Sequence, residues 1–256
     1  MTSPLLPHQN VPLRILQGKD RAIYYSHAAE ELELSLNPYF PAKDSSTNIV
    51  SLINNHTTEG GTGILLNKHG FVLTSFHLVD QFKQNNSSIS HHHICDSFYQ
   101  SHPIDPSFFA YDPLHDLALI RALGISPSTP TIPISNTPLT ISQIIYYIAF
   151  VDGINITQHL GQIRSTSHDV HHPHKSILNA IAFSGEGQRG FSGAPLFNNQ
   201  NHLVGNPFGG GYLDDEFNDN DENELNNSDE ELNFGTKAIY IIQLIEDVIY
   251  NLNHTK

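Results

Sequence analysis

Three residue types able to perform nucleophilic catalysis stand in a fixed order along this chain. The run Gly190-Phe191-Ser192-Gly193-Ala194-Pro195-Leu196 sets a serine between glycines and ahead of a proline. Upstream, His77 ends Phe71-Val72-Leu73-Thr74-Ser75-Phe76-His77, and Asp116 opens Asp116-Leu117-Ala118-Leu119-Ile120. Each lies at the edge of an apolar, strand-like stretch. A serine hydroxyl becomes a nucleophile when a base takes its proton and a carboxylate holds that base in the right tautomer. Backbone N–H groups must also face the oxyanion that develops. Glycines beside the serine let the chain turn tightly enough to aim them.

The elements that must position these residues are mostly short strands. Residues 49–53 are strand-like, and residues 63–66 and 71–74 flank Asn67-Lys68-His69-Gly70, which has hairpin-turn chemistry. Residues 117–120, 143–150 and 176–183 supply further strands, and 196–197 and 203–204 bracket the turn Asn198-Asn199-Gln200-Asn201. Little helix stands between them, which predicts an all-β barrel or sandwich. Two helices are expected outside it. Over residues 20–36, Ile23, Ala28, Ala29, Leu32 and Leu36 recur at roughly helical spacing before Asn37-Pro38 stops the run. After a last strand at residues 238–240, Ile241, Leu244, Ile245, Val248 and Leu252 follow one helical face. Only four residues follow Leu252, so no appended module is expected.

The order and spacing of these motifs resemble the trypsin-like serine proteases of the chymotrypsin double-barrel fold, and most closely an HtrA-type protease domain without a PDZ module. The resemblance covers residues 49–252. Residues 61–74, Gly-Thr-Gly-Ile-Leu-Leu-Asn-Lys-His-Gly-Phe-Val-Leu-Thr, are similar to the hairpin leading to that family's histidine. Asp112-Pro113-Leu114-His115-Asp116-Leu117-Ala118-Leu119 is similar to its Asp-Pro-x-x-Asp-Leu-Ala-Leu run, and residues 190–196 to Gly-Asn-Ser-Gly-Gly-Pro-Leu.

The resemblance implies an all-β fold of two six-stranded antiparallel β-barrels. An N-terminal extension over residues 1–45, partly helical, precedes a protease domain over residues 46–256 that closes on the C-terminal helix. It further implies His77, Asp116 and Ser192 as the catalytic triad of a serine endopeptidase that works through an acyl-enzyme. The oxyanion hole would be the N–H groups of Gly190 and Ser192. No cofactor is implied, and the partner is a protein or peptide substrate.

Family position also nominates substrate-binding residues. Glu186, six residues before the serine, falls at the base of the specificity pocket. A buried carboxylate there would favour Lys or Arg at the cleaved position. Arg189 is its nearby basic neighbour. Phe208 and Gly209 fall where the pocket wall and the substrate-pairing strand belong, and there an extended peptide would add as a strand.

Three positions depart from the family pattern: Phe191 stands for Asn or Asp, Ala194 for glycine, and Phe76 for a small residue. Disulfide-rich secreted relatives use an Asp at position 191 to bind a new N-terminal amine after zymogen cleavage, and with Phe191 that switch is unavailable. The departures keep one alternative open, an inactive trypsin-fold module that binds peptide in its cleft. Another enzyme reading, the α/β-hydrolase elbow Gly-x-Ser-x-Gly, needs a helix directly after the serine, and Pro195 denies it.

Composition narrows the rest. The chain has 256 residues and a formal net charge of −14, and ten of its 26 acidic residues lie in residues 214–231 without one Lys or Arg. Nucleic-acid binding needs clustered basic residues, so no nucleic-acid partner is expected. The acidic run reads as a solvated loop. Asp219, Asp221, Asn223 and Glu230 mimic some calcium-loop positions, but Glu224 stands where glycine is wanted. Seventeen histidines include His91, His92 and His93 in an expected strand, and His168, His171, His172 and His174 around a proline in an expected loop. Neither group has the spacing of a zinc site, and no metal is expected. One cysteine, Cys95, leaves stability to burial. The first residues lack a basic signal-peptide region, and no long apolar run spans a membrane, so a cytoplasmic location is the simplest expectation.

Overall fold

The structure is a computed structural model, and it describes residues 19–37, 48–54, 60–80, 92–125, 130–135, 137–151, 155–172, 175–211 and 232–254. The acidic run 214–231, with its calcium-like positions, lies outside the described residues, as do residues 1–18, His91 and His174.

The strands close into two antiparallel barrels of six strands each. The first contains β1 (Ile49–Asn54), β2 (Gly60–Leu65), β3 (Phe71–Ser75), β4 (His92–Cys95), β5 (Ser101–Asp112) and β6 (Leu117–Ala122). The second contains β7 (Ile144–Val151), β8 (Asn155–His172), β9 (Lys175–Ser184), β10 (Leu196–Phe197), β11 (Leu203–Gly211) and β12 (Leu232–Lys237). Around the barrels the strand orders are β1-β2-β3-β6-β5-β4 and β10-β11-β12-β9-β8-β7. Closure leaves neither sheet a free edge.

The β2–β3 hairpin forms for local reasons. Asn67 Oδ1 accepts the N–H of His69 at 3.0 Å, and Gly70 adopts φ +85° to reverse the chain. A Cβ at Gly70 would lie 2.1 Å from the carbonyl oxygen of Ala122, so only glycine lets the turn rest against β6.

Two strands are longer than the sequence pattern indicates. β5 carries Pro103 and Pro106 and absorbs them through a register shift between Ile104 and Phe109. β8 runs 18 residues and pairs with β9 through three register shifts, between Ile163 and Val170. Each shift breaks the alternation by which a strand is recognised. The expected loop at residues 168–174 is corrected here: residues 168–172 continue β8, and β9 begins at Lys175.

Each barrel has its own apolar interior, and a third cluster joins them. That cluster unites Ile64, Phe71 and Leu73 of the first barrel with Ile148, Phe150 and Phe197 of the second. It also takes in both helices, α1 (Lys19–Ser35) and α2 (Ala238–His254). Ile241, Leu244, Ile245 and Val248 are buried on α2, and Ala28, Ala29 and Leu32 on α1. A shared core makes barrel separation expose continuous apolar surface, and this fixes the seam between the barrels.

Candidate active site

His77 and Asp116 leave adjacent strand ends. Ser75 of β3 pairs with Leu117 of β6, which sets residue 76 beside residue 116. The Phe76 N–H then donates to the Asp116 carbonyl at 3.0 Å. One 3₁₀ turn, Phe76–Leu78, brings the His77 ring to the rim, where its side chain is 38% exposed. The Asp116 carboxylate is fully buried and holds this histidine twice. Its Oδ1 accepts the His77 backbone N–H at 2.9 Å, and its Oδ2 bonds Nδ1 at 2.7 Å. A carboxylate at Nδ1 fixes the proton there and leaves Nε2 as the basic nitrogen.

Asp116 itself sits at φ +54°, a left-handed conformation that aspartate tolerates better than most residues. Asp112 builds the turn before it. Its Oδ1 accepts the N–H groups of Leu114 and His115 at 3.0 and 3.3 Å, and its Oδ2 bonds His115 Nδ1 at 2.6 Å. Burial pushes the Asp112 carboxyl upward, but the His115 bond and charge and the two backbone N–H groups outweigh it, so the group is held below its ordinary value. The His115 ring stacks on Tyr240 of α2 with centroids 3.5 Å apart, and the Thr236 hydroxyl donates to the His115 carbonyl. The carboxylate-bearing turn is therefore tied to the second barrel's last strand and helix.

The Ser192 loop belongs to the second barrel but docks on the first. The Thr62 N–H of β2 donates to the Ser192 carbonyl at 2.9 Å, and the Thr62 hydroxyl donates to the Gly190 carbonyl at 2.6 Å. That hydroxyl also accepts the N–H of Phe150 at 2.9 Å, so one buried side chain joins β2, β7 and the serine loop. Gly193 adopts φ +83°, and a Cβ there would fall 2.0 Å from the Thr62 carbonyl oxygen and 2.4 Å from Thr74 Oγ1. Below the loop, Asn206 Nδ2 donates to the Gly193 carbonyl at 3.0 Å, and the Ser75 hydroxyl lies 3.0 Å from the Pro207 carbonyl oxygen. Among the described residues, no backbone carbonyl accepts the N–H of Gly190 or of Ser192.

The three departures from the family pattern are all buried packing positions. Phe76 stacks on Tyr111 at 5.2 Å. Phe191 packs into the second barrel against Tyr147 and His159 at 5.4 and 4.9 Å. Ala194 has no exposed surface and lies in the same interior as Phe191.

The other sequence-nominated residues fall in different surroundings. The Glu186 side chain is 71% exposed, with its carboxylate 3.1 Å from His159 Nδ1. A preference for basic side chains argued from a buried, unpaired carboxylate lacks that premise here. Arg189 is exposed, Phe208 is half-buried, and Gly209 is exposed with open space where its Cβ would stand. Among the histidines, His92 is buried, His93 is half-buried on the alternate face of β4, and His168 stacks on Phe234 at 5.3 Å. Among the described residues no three His, Cys, Asp or Glu side chains come together in a metal-binding arrangement. Among them, too, no helix is long and apolar enough to cross a membrane.

Sequence reasoning assigned no role to Thr62, Asn206, Tyr147 or His159. Thr62 and Asn206 had a readable signal, each being a polar residue within a glycine-rich or apolar strand, where a buried hydroxyl or amide must find partners. Tyr147 and His159 had none, because their meeting depends on cross-strand register.

Two closed barrels with a histidine–aspartate pair at the rim of one and a glycine-flanked serine loop from the other form the chymotrypsin-like double barrel. Residues 61–205 match the trypsin-like peptidase domain, and the chain belongs to that family. Solved structures share the fold. The active form of the Rv3671c protease from M. tuberculosis matches with TM-score 0.61 and 16% identity over 96% of this chain and 94% of that one. Deg5 matches with TM-score 0.57 and 19% identity over 86% and 96% of the two chains. The serine endoprotease from Yersinia pestis matches with TM-score 0.58 and 16% identity over 87% and 67%. No curated protein sequence matches this chain.

Proposed function

We propose that this protein is a serine endopeptidase in which Ser192 is the nucleophile, His77 the general base and Asp116 the carboxylate that orients it. The observation that carries the reading is the fully buried Asp116 carboxylate, which bonds both Nδ1 and the backbone N–H of His77. Nothing about packing demands that one buried carboxylate grip a rim histidine twice, whereas base catalysis demands a fixed tautomer and ring orientation.

In this mechanism Ser192 Oγ attacks the scissile carbonyl carbon while its proton passes to His77 Nε2. The oxyanion of the tetrahedral intermediate accepts from the N–H groups of Gly190 and Ser192, which have no backbone acceptor of their own among the described residues. Collapse breaks the C–N bond, the departing amine takes the proton from His77, and the acyl group stays on Ser192. Water, deprotonated by His77, attacks the ester and releases the acid. No step needs a cofactor. The open surface at Gly209 on β11 suits an extended peptide laid beside that strand.

The test is hydrolysis of an unfolded protein substrate by the wild type and by Ser192→Ala. Cleavage that is lost in a folded Ser192→Ala protein supports the reading. Cleavage that survives the substitution, or its absence in folded wild type, overturns it. The three departures are buried packing positions, and absence of cleavage by folded wild type would favour the alternative, an inactive trypsin-fold module that binds peptide or protein in its cleft.

A further inference from the structure

The segment that leads to Ser192 begins and ends on the same two side chains. Tyr147 of β7 and His159 of β8 stand directly opposite each other in the β7–β8 ladder, and their rings stack at 5.3 Å. At the start of the segment, the Tyr147 hydroxyl donates to the Glu186 carbonyl at 2.5 Å, while His159 Nδ1 meets the Glu186 carboxylate at 3.1 Å. At its end, Phe191 packs edge-on against Tyr147 and tilted against His159. Between them the Phe191 N–H donates to the Gln188 carbonyl at 3.2 Å. The loop is thus closed on itself and clamped at both ends.

The approach to the clamp is equally fitted. Gly185 adopts φ +141°, and a Cβ there would stand 2.7 Å from the Tyr147 hydroxyl. Asn233 Nδ2 of β12 donates to the Gly185 carbonyl at 2.9 Å. Tyr147 has no exposed surface, and burial together with the nearby Glu186 charge pushes its phenol up to about 12, so the hydroxyl stays a donor. His159 Nε2 is buried and has no hydrogen-bond partner among the described residues. The ring is held on its faces by Tyr147 and Phe191 and at Nδ1 by the Glu186 carboxylate.

We propose that Tyr147 and His159 are positioning residues for the oxyanion-hole loop. By fixing residues 186–191 they keep the N–H groups of Gly190 and Ser192 turned to the reacting carbonyl, without a charge pair from a new N-terminus. Glu186 then serves as the clamp's grip rather than as a reader of substrate charge. The proposal rests on the peptidase reading above. Its physical content is differential: donors aimed at the oxyanion act in the transition state and hardly on ground-state peptide.

Tyr147→Phe keeps the ring and removes only the hydroxyl. It is expected to lower kcat by roughly tenfold or more while KM shifts less than about twofold. Affinity for a peptide aldehyde, which forms a tetrahedral adduct on the serine, should fall by the same factor as kcat/KM. In a Ser192→Ala background, affinity for uncleaved peptide should not differ between Tyr147 and Tyr147→Phe. His159→Gln tests the second anchor in the same assays and should show the same split. A kcat unaltered in both folded variants, or a loss confined to KM, would overturn the proposal. A wild type without Ser192-dependent cleavage removes the peptidase reading and this one together. An active wild type with unaltered variants removes this one alone.

Discussion

The two halves of the proposed active site are held by different physics. The histidine–carboxylate half uses ions and hydrogen bonds. Asp112 organises the turn and Asp116 grips His77 from 39 residues further along the chain, both through charge-assisted or backbone hydrogen bonds. The serine half is held by packing and by neutral hydrogen bonds: rings at Tyr147, His159 and Phe191, a glycine at position 193 with no room for a Cβ, and the hydroxyls of Thr62 and Tyr147 on backbone carbonyls. A base needs its tautomer chosen, which a carboxylate does directly. A nucleophile loop needs its peptide planes aimed, which packing from several sides does.

The comparison can be broken by changes specific to one half. The largest effect is expected from Asp116→Asn, which keeps the side-chain shape and the tolerance of positive φ but removes the charge. Loss of the correct His77 tautomer should lower kcat by about 10⁴-fold, with thermal stability measured alongside to show an intact fold. A loss below tenfold would mean the carboxylate is not what makes the base. Next is Thr62→Val, which strands the Gly190 carbonyl and the Phe150 N–H in a buried seam. Unfolding by denaturant should show a loss of about 1–3 kcal/mol, with kcat falling more than KM rises. Equal stability in the two proteins would remove Thr62 as the hub between barrels.

The smallest effect, and the one that separates the halves most cleanly, is on pH. Asp112 is held below its ordinary value, so its contribution is present above the unfolded value of 3.8 and is lost as pH falls through the folded one. Tyr147 is raised from 10.0 to about 12, so its folded state resists ionisation, and stability falls as pH climbs through that window. Thermal melts should therefore show Asp112→Asn flattening only the acid limb and Tyr147→Phe only the alkaline limb. Both variants flattening the same limb would contradict the division.

The sequence made one half far more legible than the other. His77 follows, and Asp116 and Ser192 precede, a strand whose apolar run is visible, and strand register then brings the first two together by itself. The C-terminal helix was plain from Ile241 onward, because its buried face repeats at 3.6-residue spacing, but residues 238–240, expected as a last strand, are its first turn, and the last strand is Leu232–Lys237. β8 was not legible, because its bulges break alternation and its polar residues read as loop. The clamp on the serine loop depends on β8, since His159 reaches Phe191 only once β7 and β8 pair in one register. Glu186 shows the same limit. Its position along the chain pointed to a pocket base, while its surroundings, which no single sequence displays, set it at the surface beside His159.

The central claim is that Ser192 is an activated nucleophile at rest. Reaction of the full chain with a fluorophosphonate probe, read by intact mass and peptide mapping, tests it most directly. One adduct per chain is expected, on Ser192, absent in Ser192→Ala and formed far more slowly in Asp116→Asn. A folded wild-type protein that takes no adduct, or takes one at another residue, would contradict it.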